Sequence, residues 1–200
     1  LYAQEKYDEA AGCYRQVLVH QPNNVDVLTN LGNALTRAGQ FDEAVAYYQQ
    51  ALEINPRHAK AHANLGVAWR HQGKLEEAVD CFRRAIQIQP EYADAHNNLA
   101  STLTDLGRMD EAMASCQRAL TIRPDNAALN NMGYLLQNQG RIEDAIAYYQ
   151  RALEVKPDDA TTHVNLAHAL LQNGDFERGW EEYEWRWRRK LKPRTFLQPS

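Results

Sequence analysis

Residues 59–92 read AKAHANLGVAWRHQGKLEEAVDCFRRAIQIQPEY, and this stretch decides the fold. Ala59 to Gln72 carries apolar residues at helical spacing, with Leu65, Gly66 and Trp69 on one face. Gly73 follows, in the position just past a helix where a left-handed backbone costs glycine nothing. Glu76 to Ile88 is a second helical segment, with Ala78, Phe82 and Ala85 on one face. Pro90 ends it and fixes the turn into whatever comes next. Gly66 and Ala78 are small where two helix backbones must approach, and Trp69 and Phe82 fill the space beside them.

The same phrase recurs along the chain. Prolines stand at 22, 56, 90, 124 and 157, and glycines at 39, 73, 107, 140 and 174. Two kinds of helix-breaking residue that share one period of 33 or 34 residues establish an internal repeat. Ala44/Tyr48/Ala51, Ala112/Cys116/Ala119 and Ala145/Tyr149/Ala152 repeat the second-helix pattern. Asp42, Asp110 and Asp175 are expected to cap the second helices. There is no alternating apolar run and no Asn-Gly hairpin turn, so strands are not expected.

These motifs resemble the tetratricopeptide repeat (TPR), and the resemblance covers about 190 of the 200 residues. It implies an all-α fold, a right-handed α-solenoid or superhelix of 34-residue helix-turn-helix units. In that register full repeats run 25–58, 59–92, 93–125, 126–159 and 160–192, with 193–200 as a linker or tail. Residues 1–24 read as the C-terminal part of a truncated repeat, with Ala10, Tyr14 and Pro22 in register and Leu1-Tyr2-Ala3-Gln4 as the end of a helix. Ala100 and Ala167 replace the first-helix glycine, and Gly179 stands where the other second helices have alanine.

Composition narrows the function classes. The chain is 44% hydrophobic and 24% charged, with formal net charge −4, a balance that supports a packed core and argues against a nucleic-acid binder working by bulk charge. Mean hydropathy is −0.65 and no long apolar run occurs, so no membrane span is expected. Three cysteines without a CxxC pair fit neither a disulfide framework nor a zinc ribbon, and suit a reducing, cytoplasmic setting. No phosphate loop, HExxH or GxSxG is present, so the segment reads as non-catalytic, without a cofactor or metal.

In TPR arrays the concave side is lined by first helices. One column of the exposed first-helix stripe is identical in all five units: Asn30, Asn64, Asn98, Asn131 and Asn165. Its neighbours have diverged, and the wider groove would include Asn33, Arg37, Lys60, His71, Asp94, Tyr134, Asn138 and His168. A carboxamide both donates and accepts, so such a ladder can pair with the N–H and C=O of an extended peptide whatever its side chains. The competing reading has these asparagines packing between neighbouring first helices. The column and its flanking phrases resemble the superhelical TPR region of O-linked N-acetylglucosamine transferases and their bacterial relatives, in which such a ladder holds the polypeptide substrate.

Three functions follow as expectations: a scaffold that binds an extended protein or peptide partner, the recruiting region of a larger protein O-glycosyltransferase, and a homo-oligomeric scaffold that self-associates through an exposed terminal helix. His62, His96 and His163 share one repeat position, but a spacing of one repeat keeps them from converging on an ion, so packing with a local hydrogen bond is expected. The second tyrosine of Tyr47/Tyr48 and of Tyr148/Tyr149 reads as core. The carboxyl end concentrates three of the four tryptophans and a local charge of +3 from Trp180 onward. There Trp180, Tyr183 and Trp187 are expected on one face of a terminal helix that closes the core.

Overall fold

The glycine and proline punctuation becomes twelve helices and no strand among the described residues of the computed structural model, which are residues 2–188. They are α1 (Tyr2–His20), α2 (Val25–Arg37), α3 (Phe41–Ile54), α4 (Ala59–His71), α5 (Leu75–Ile88), α6 (Ala93–Asp105), α7 (Met109–Ile122), α8 (Asn126–Asn138), α9 (Ile142–Val155), α10 (Ala160–Gln172), α11 (Phe176–Tyr183) and α12 (Trp185–Arg188). The architecture is an α-solenoid of helix-turn-helix TPR units. Residues 189–200, which include the tail of the sequence reading, lie outside the described part.

The helix-helix turn shows why the period is so regular. Gly39 has φ +76°, its N–H donates to Thr36 O, and the N–H of Gln40 donates back to Leu35 O. That pair of bonds satisfies carbonyls left open at the helix end. Gln40 then serves as N-cap of α3 with no side-chain bond of its own. The turn is therefore fully specified by one glycine and the residue after it. Asp42 falls in the first turn of α3, past the cap, and Asp110 falls likewise in α7, which corrects the expectation that they cap. Their carboxylates still favour the positive helix end. Asp175 does cap α11, accepting from Arg178 N at 3.3 Å.

First helices are capped by side chains instead, except α6, whose N-cap Tyr92 makes no side-chain cap bond. Asn24, Asp125 and Asp159 accept from the backbone N–H three residues on, and His58 Nδ1 does the same for Ala61 N at 3.1 Å. Glu5 stands one period before Gly39, so nothing interrupts the chain there, and α1 runs unbroken for 19 residues. Tyr2 to Gln4 therefore continue the same helix that carries Ala10 and Tyr14, rather than ending a preceding one.

The chain divides into two compact units, Leu1–Ser115 and Cys116–Ser200. Within the first, α2 packs on α3 and α4 on α5, each second helix meets the next first helix, and α2, α4 and α6 touch in succession. Leu31, Leu35, Ala44, Tyr48, Leu65 and Ala68 are buried together, with Trp69 partly buried against them. A Cβ added at Gly66 would lie 2.8 Å from the Phe82 ring, and one at Gly32 would lie 2.5 Å from Tyr48, so the aromatic of each second helix sits flat on the first-helix backbone. Burying such a side chain contributes about 1.5–3 kcal/mol.

In the second unit α8 pairs with α9 and α10 with α11, and α8 touches α10. Gly133 sits beneath Tyr149 in the same way, 2.7 Å from ring to added Cβ. The last pair differs. Ala167 is fully buried where glycine is usual, and the close approach moves to Gly179, whose added Cβ would meet Leu171 Cδ2 at 2.7 Å. The helix breaks at Glu184, so the expected single aromatic face does not form. Trp180 is 57% and Trp187 50% exposed, and neither closes the core. Trp185 packs instead, stacked on the His163 ring at 3.8 Å and 5°.

Candidate functional site

The polar residues of the first helices come together around Tyr48. This tyrosine is 1% exposed, yet its hydroxyl reaches the first-helix face and donates to Asn33 Oδ1 at 2.7 Å. Asn64 Nδ2, one repeat on, donates to the same Asn33 oxygen at 2.6 Å. Thr36 Oγ1 lies 3.2 Å from the Tyr48 hydroxyl. Asn33, Thr36, Arg37, Tyr48, Asn64, Val67 and His71 line an open cavity of about 410 Å³. The His71 ring stacks on Phe41 at 4.7 Å, and Arg37 Nη1 donates to the Tyr7 hydroxyl at 3.3 Å, so both rims are held in place.

The network uses part of the hydrogen-bonding capacity of each carboxamide. Asn33 has used its carbonyl oxygen twice and keeps its NH₂ group. Asn64 has used one N–H and keeps its carbonyl oxygen and its second N–H. The pair thus keeps unused donors and an unused acceptor among the residues that line the cavity. Burial pushes the Tyr48 phenol up to about 12, with the Thr36 hydrogen bond acting the other way, so it is a donor throughout the physiological range.

Three of the groove residues named from sequence, Asn33, Arg37 and His71, meet in this cavity with Asn64, and Val67 joins them. Asn30 and Asn98 are half-buried in α2 and α6, while Lys60 and Asp94 are exposed at the starts of α4 and α6 and do not line it. Thr36 and Tyr48 join the site without having been singled out for it by the sequence. Tyr48 is core, as its repeat position implies, and the available signal is its hydroxyl, absent from Phe82 at the equivalent position.

In the second unit Asn165 Nδ2 donates to Asn130 Oδ1 at 3.0 Å, and Asn131 is half-buried beside it in sequence. The Tyr149 hydroxyl donates to Gln137 Oε1 at 3.0 Å, and Gln137 Nε2 donates to Gln172 Oε1 at 3.1 Å. Tyr134 is 47% exposed, and Asn138 and His168 are exposed, the latter tilted against Tyr183 at 5.6 Å.

The three histidines each reach a proline carbonyl six residues back: His62 to Pro56 O at 3.0 Å, His96 to Pro90 O at 2.9 Å and His163 to Pro157 O at 2.8 Å. A carbonyl only accepts, so Nε2 carries the proton in every case. Among the described residues, no cluster of three or more His, Cys, Asp and Glu side chains is arranged to hold a metal ion, and no helix is long and apolar enough to cross a membrane.

Comparison with known proteins agrees with this architecture. No curated protein matches the sequence. Among solved structures, the chain is similar to YrrB, described as a TPR protein with an unusual peptide-binding site, at 23% identity and TM-score 0.65, covering 88% of this chain and 91% of that one. It is similar to TTC0263, a thermophilic TPR protein of Thermus thermophilus, at 27% identity and TM-score 0.72, covering 86% and 94%. It also resembles PilF of Pseudomonas aeruginosa at 21% identity and TM-score 0.74, covering 94% and 80%. Residues 1–190 match the TPR family described as the cilia and flagella-associated protein 70 C-terminal domain, and the chain belongs to that family.

Proposed function

We propose that the chain is a protein-interaction module whose first-helix faces bind an extended polypeptide through its main chain. The observation that carries this reading is the Tyr48–Asn33–Asn64 network, which holds two carboxamides with an unused donor and an unused acceptor at one open cavity. The repeated asparagine column supplies further carboxamides: Asn30 and Asn98 in the first unit, Asn131 and Asn165 in the second. Asn64 and Asn165 also make interhelix bonds, so these residues both support the packing of first helices and present polar groups to a ligand. At about 0.5–1.5 kcal/mol net for each hydrogen bond, binding is weak and tolerant of sequence.

The test is anisotropy titration of fluorescein-labelled random-sequence peptides against the wild type and against a variant with all five column asparagines replaced by alanine. Weaker binding, by about tenfold or more, in a variant that keeps its helical circular dichroism supports the reading. Unchanged binding in that variant overturns it. Recruitment of a substrate for a protein O-glycosyltransferase is one use of the same asparagine column, and it rests on the resemblance described above.

A further inference from the structure

A second cavity lies in the first unit, away from the asparagine network. Leu52, Pro56, Arg57, His62, Arg84, Gln87 and Ile88 enclose about 540 Å³ between the C-terminal ends of α3 and α5. Leu52, Pro56 and Ile88 form an apolar wall, and the His62 ring is fixed by its bond to Pro56 O. Arg57 and Arg84 supply two guanidinium groups. Arg84 donates to Gln87 Oε1 at 3.2 Å, and neither arginine has a carboxylate partner among the described residues.

Of the seven arginines of this unit, four have a carboxylate partner and Arg37 bonds to the Tyr7 hydroxyl. Arg15 pairs with Glu43, Arg70 with Asp105, Arg83 with Glu111, and Arg108 with Glu76 and Glu111. The repeat register makes the contrast sharper. The positions equivalent to Arg57 and Arg84 carry Glu91 and Arg118 at the next junction, then Asp125 and Arg151. Those pairs are acid and base, whereas here both are basic. Two positive charges at one junction repel, and they sit in a chain whose formal net charge is −4. Helix C-termini favour nearby cations only weakly, and that effect applies equally at the junctions where an acid is kept.

We infer that this cavity binds an acidic peptide segment of a partner protein, in which a carboxylate side chain engages Arg57 and Arg84 and a neighbouring aliphatic side chain lies on Leu52, Pro56 and Ile88. A guanidinium takes a carboxylate through paired N–H donors, and the apolar wall selects for a residue beside the charge. This site is independent of the asparagine column and acts through side chains rather than the peptide main chain.

The test uses the full chain and a labelled, end-capped hexapeptide alternating leucine and glutamate, with its leucine–glutamine counterpart and inorganic phosphate as competitor. The glutamate peptide is expected to bind, to weaken as salt is raised, and to lose about tenfold or more in affinity on the paired substitution Arg57→Glu and Arg84→Glu. The difference between the glutamate and glutamine peptides, and its loss on the arginine reversal, is expected to persist in the five-asparagine variant, because main-chain binding contributes equally to both peptides. The glutamine peptide is expected to bind at least about tenfold more weakly, a comparison that leaves the protein untouched. Equal binding of the two peptides, indifference to the arginine reversal, or full displacement by phosphate at equal concentration overturns the inference. Loss of binding only in the asparagine variant overturns it as well, and assigns the peptide to the first-helix face.

Discussion

The two units build the same stack of tyrosine on glycine and use the hydroxyl differently. In the first, Tyr48 donates to Asn33, and the Asn64 side chain of the next repeat converges on the same oxygen. In the second, Tyr149 donates to Gln137, while Asn165, the counterpart of Asn64, donates to Asn130, which stands at the register position of Thr29 rather than of Asn33. Core and groove are therefore linked through a single atom in the first unit and run in parallel in the second. A shared scaffold need not give equal sites. Repeats keep the packing residues alike and leave the face open to change.

The largest expected effect comes from breaking the stack itself. Gly32→Ala and Gly133→Ala each place a methyl group under a tyrosine ring, and each should cost about 1–3 kcal/mol in urea unfolding. Because Tyr48 is tied to Asn33, Gly32→Ala should also weaken peptide binding, whereas Gly133→Ala should leave the Asn165–Asn130 pair in place. Equal losses of binding in both would erase the contrast between the units.

Removing only the hydroxyls is milder. Tyr48→Phe and Tyr149→Phe should each cost about 0.5–1.5 kcal/mol in thermal or urea unfolding. Tyr48→Phe should also reduce affinity for random-sequence peptides, because Asn33 loses the bond that orients it. Tyr149→Phe should leave that affinity unchanged.

The phenols also predict an alkaline limit. Burial raises Tyr48 from its ordinary value of 10.0 to about 12, and burial raises Tyr149 in the same direction. In the unfolded chain these groups lose protons first, so above about pH 10 the unfolded state binds fewer protons than the folded one and stability falls as pH rises. The stabilisation is complete below the unfolded value and lost as pH climbs through about 12 for Tyr48. Melting temperatures measured from pH 9 upward should decline less steeply in Tyr48→Phe than in the wild type.

The smallest effect is a labelling difference. Burial, with Asp80 and Glu77 nearby, pushes the Cys81 thiol up to about 11, and burial pushes Cys116 up to about 12, while Cys13 is exposed. At neutral pH iodoacetamide should modify Cys13 and spare the other two. Raising urea should then expose Cys81 in the first unit and Cys116 in the second, and their relative rates report which unit opens more readily.

Much of the fold is legible in the sequence because it depends on two residue types with strong local effects. Gly39 and its counterparts stop one helix and set the next cap, and Pro56 and its counterparts close the unit. Sequence and structure part where local geometry overrides residue preference. Asp42 has the chemistry of a cap, but the glycine turn hands that role to Gln40 two residues earlier. Trp180, Tyr183 and Trp187 share a face only on an unbroken helix, and the break at Glu184 brings Trp185 onto His163 instead. At the site, the asparagine column is visible as identity at one register position. The part played by Tyr48 is not, because a buried aromatic ring accounts for itself by packing, and only the folded chain shows where its hydroxyl ends. The basic cavity is hidden in the sequence because Arg57 and Arg84 are 27 positions apart and meet only when one repeat stacks on the next.

The function proposed for the first-helix face is recognition of the main chain of an extended peptide. It is tested most directly by comparing three peptides of one composition: a parent, a scrambled sequence, and the parent with alternate backbone nitrogens methylated. Similar affinity is expected for parent and scrambled peptides and strong loss for the methylated one, whose alternate N–H donors are gone. Retained binding of the methylated peptide together with loss of the scrambled one would contradict it.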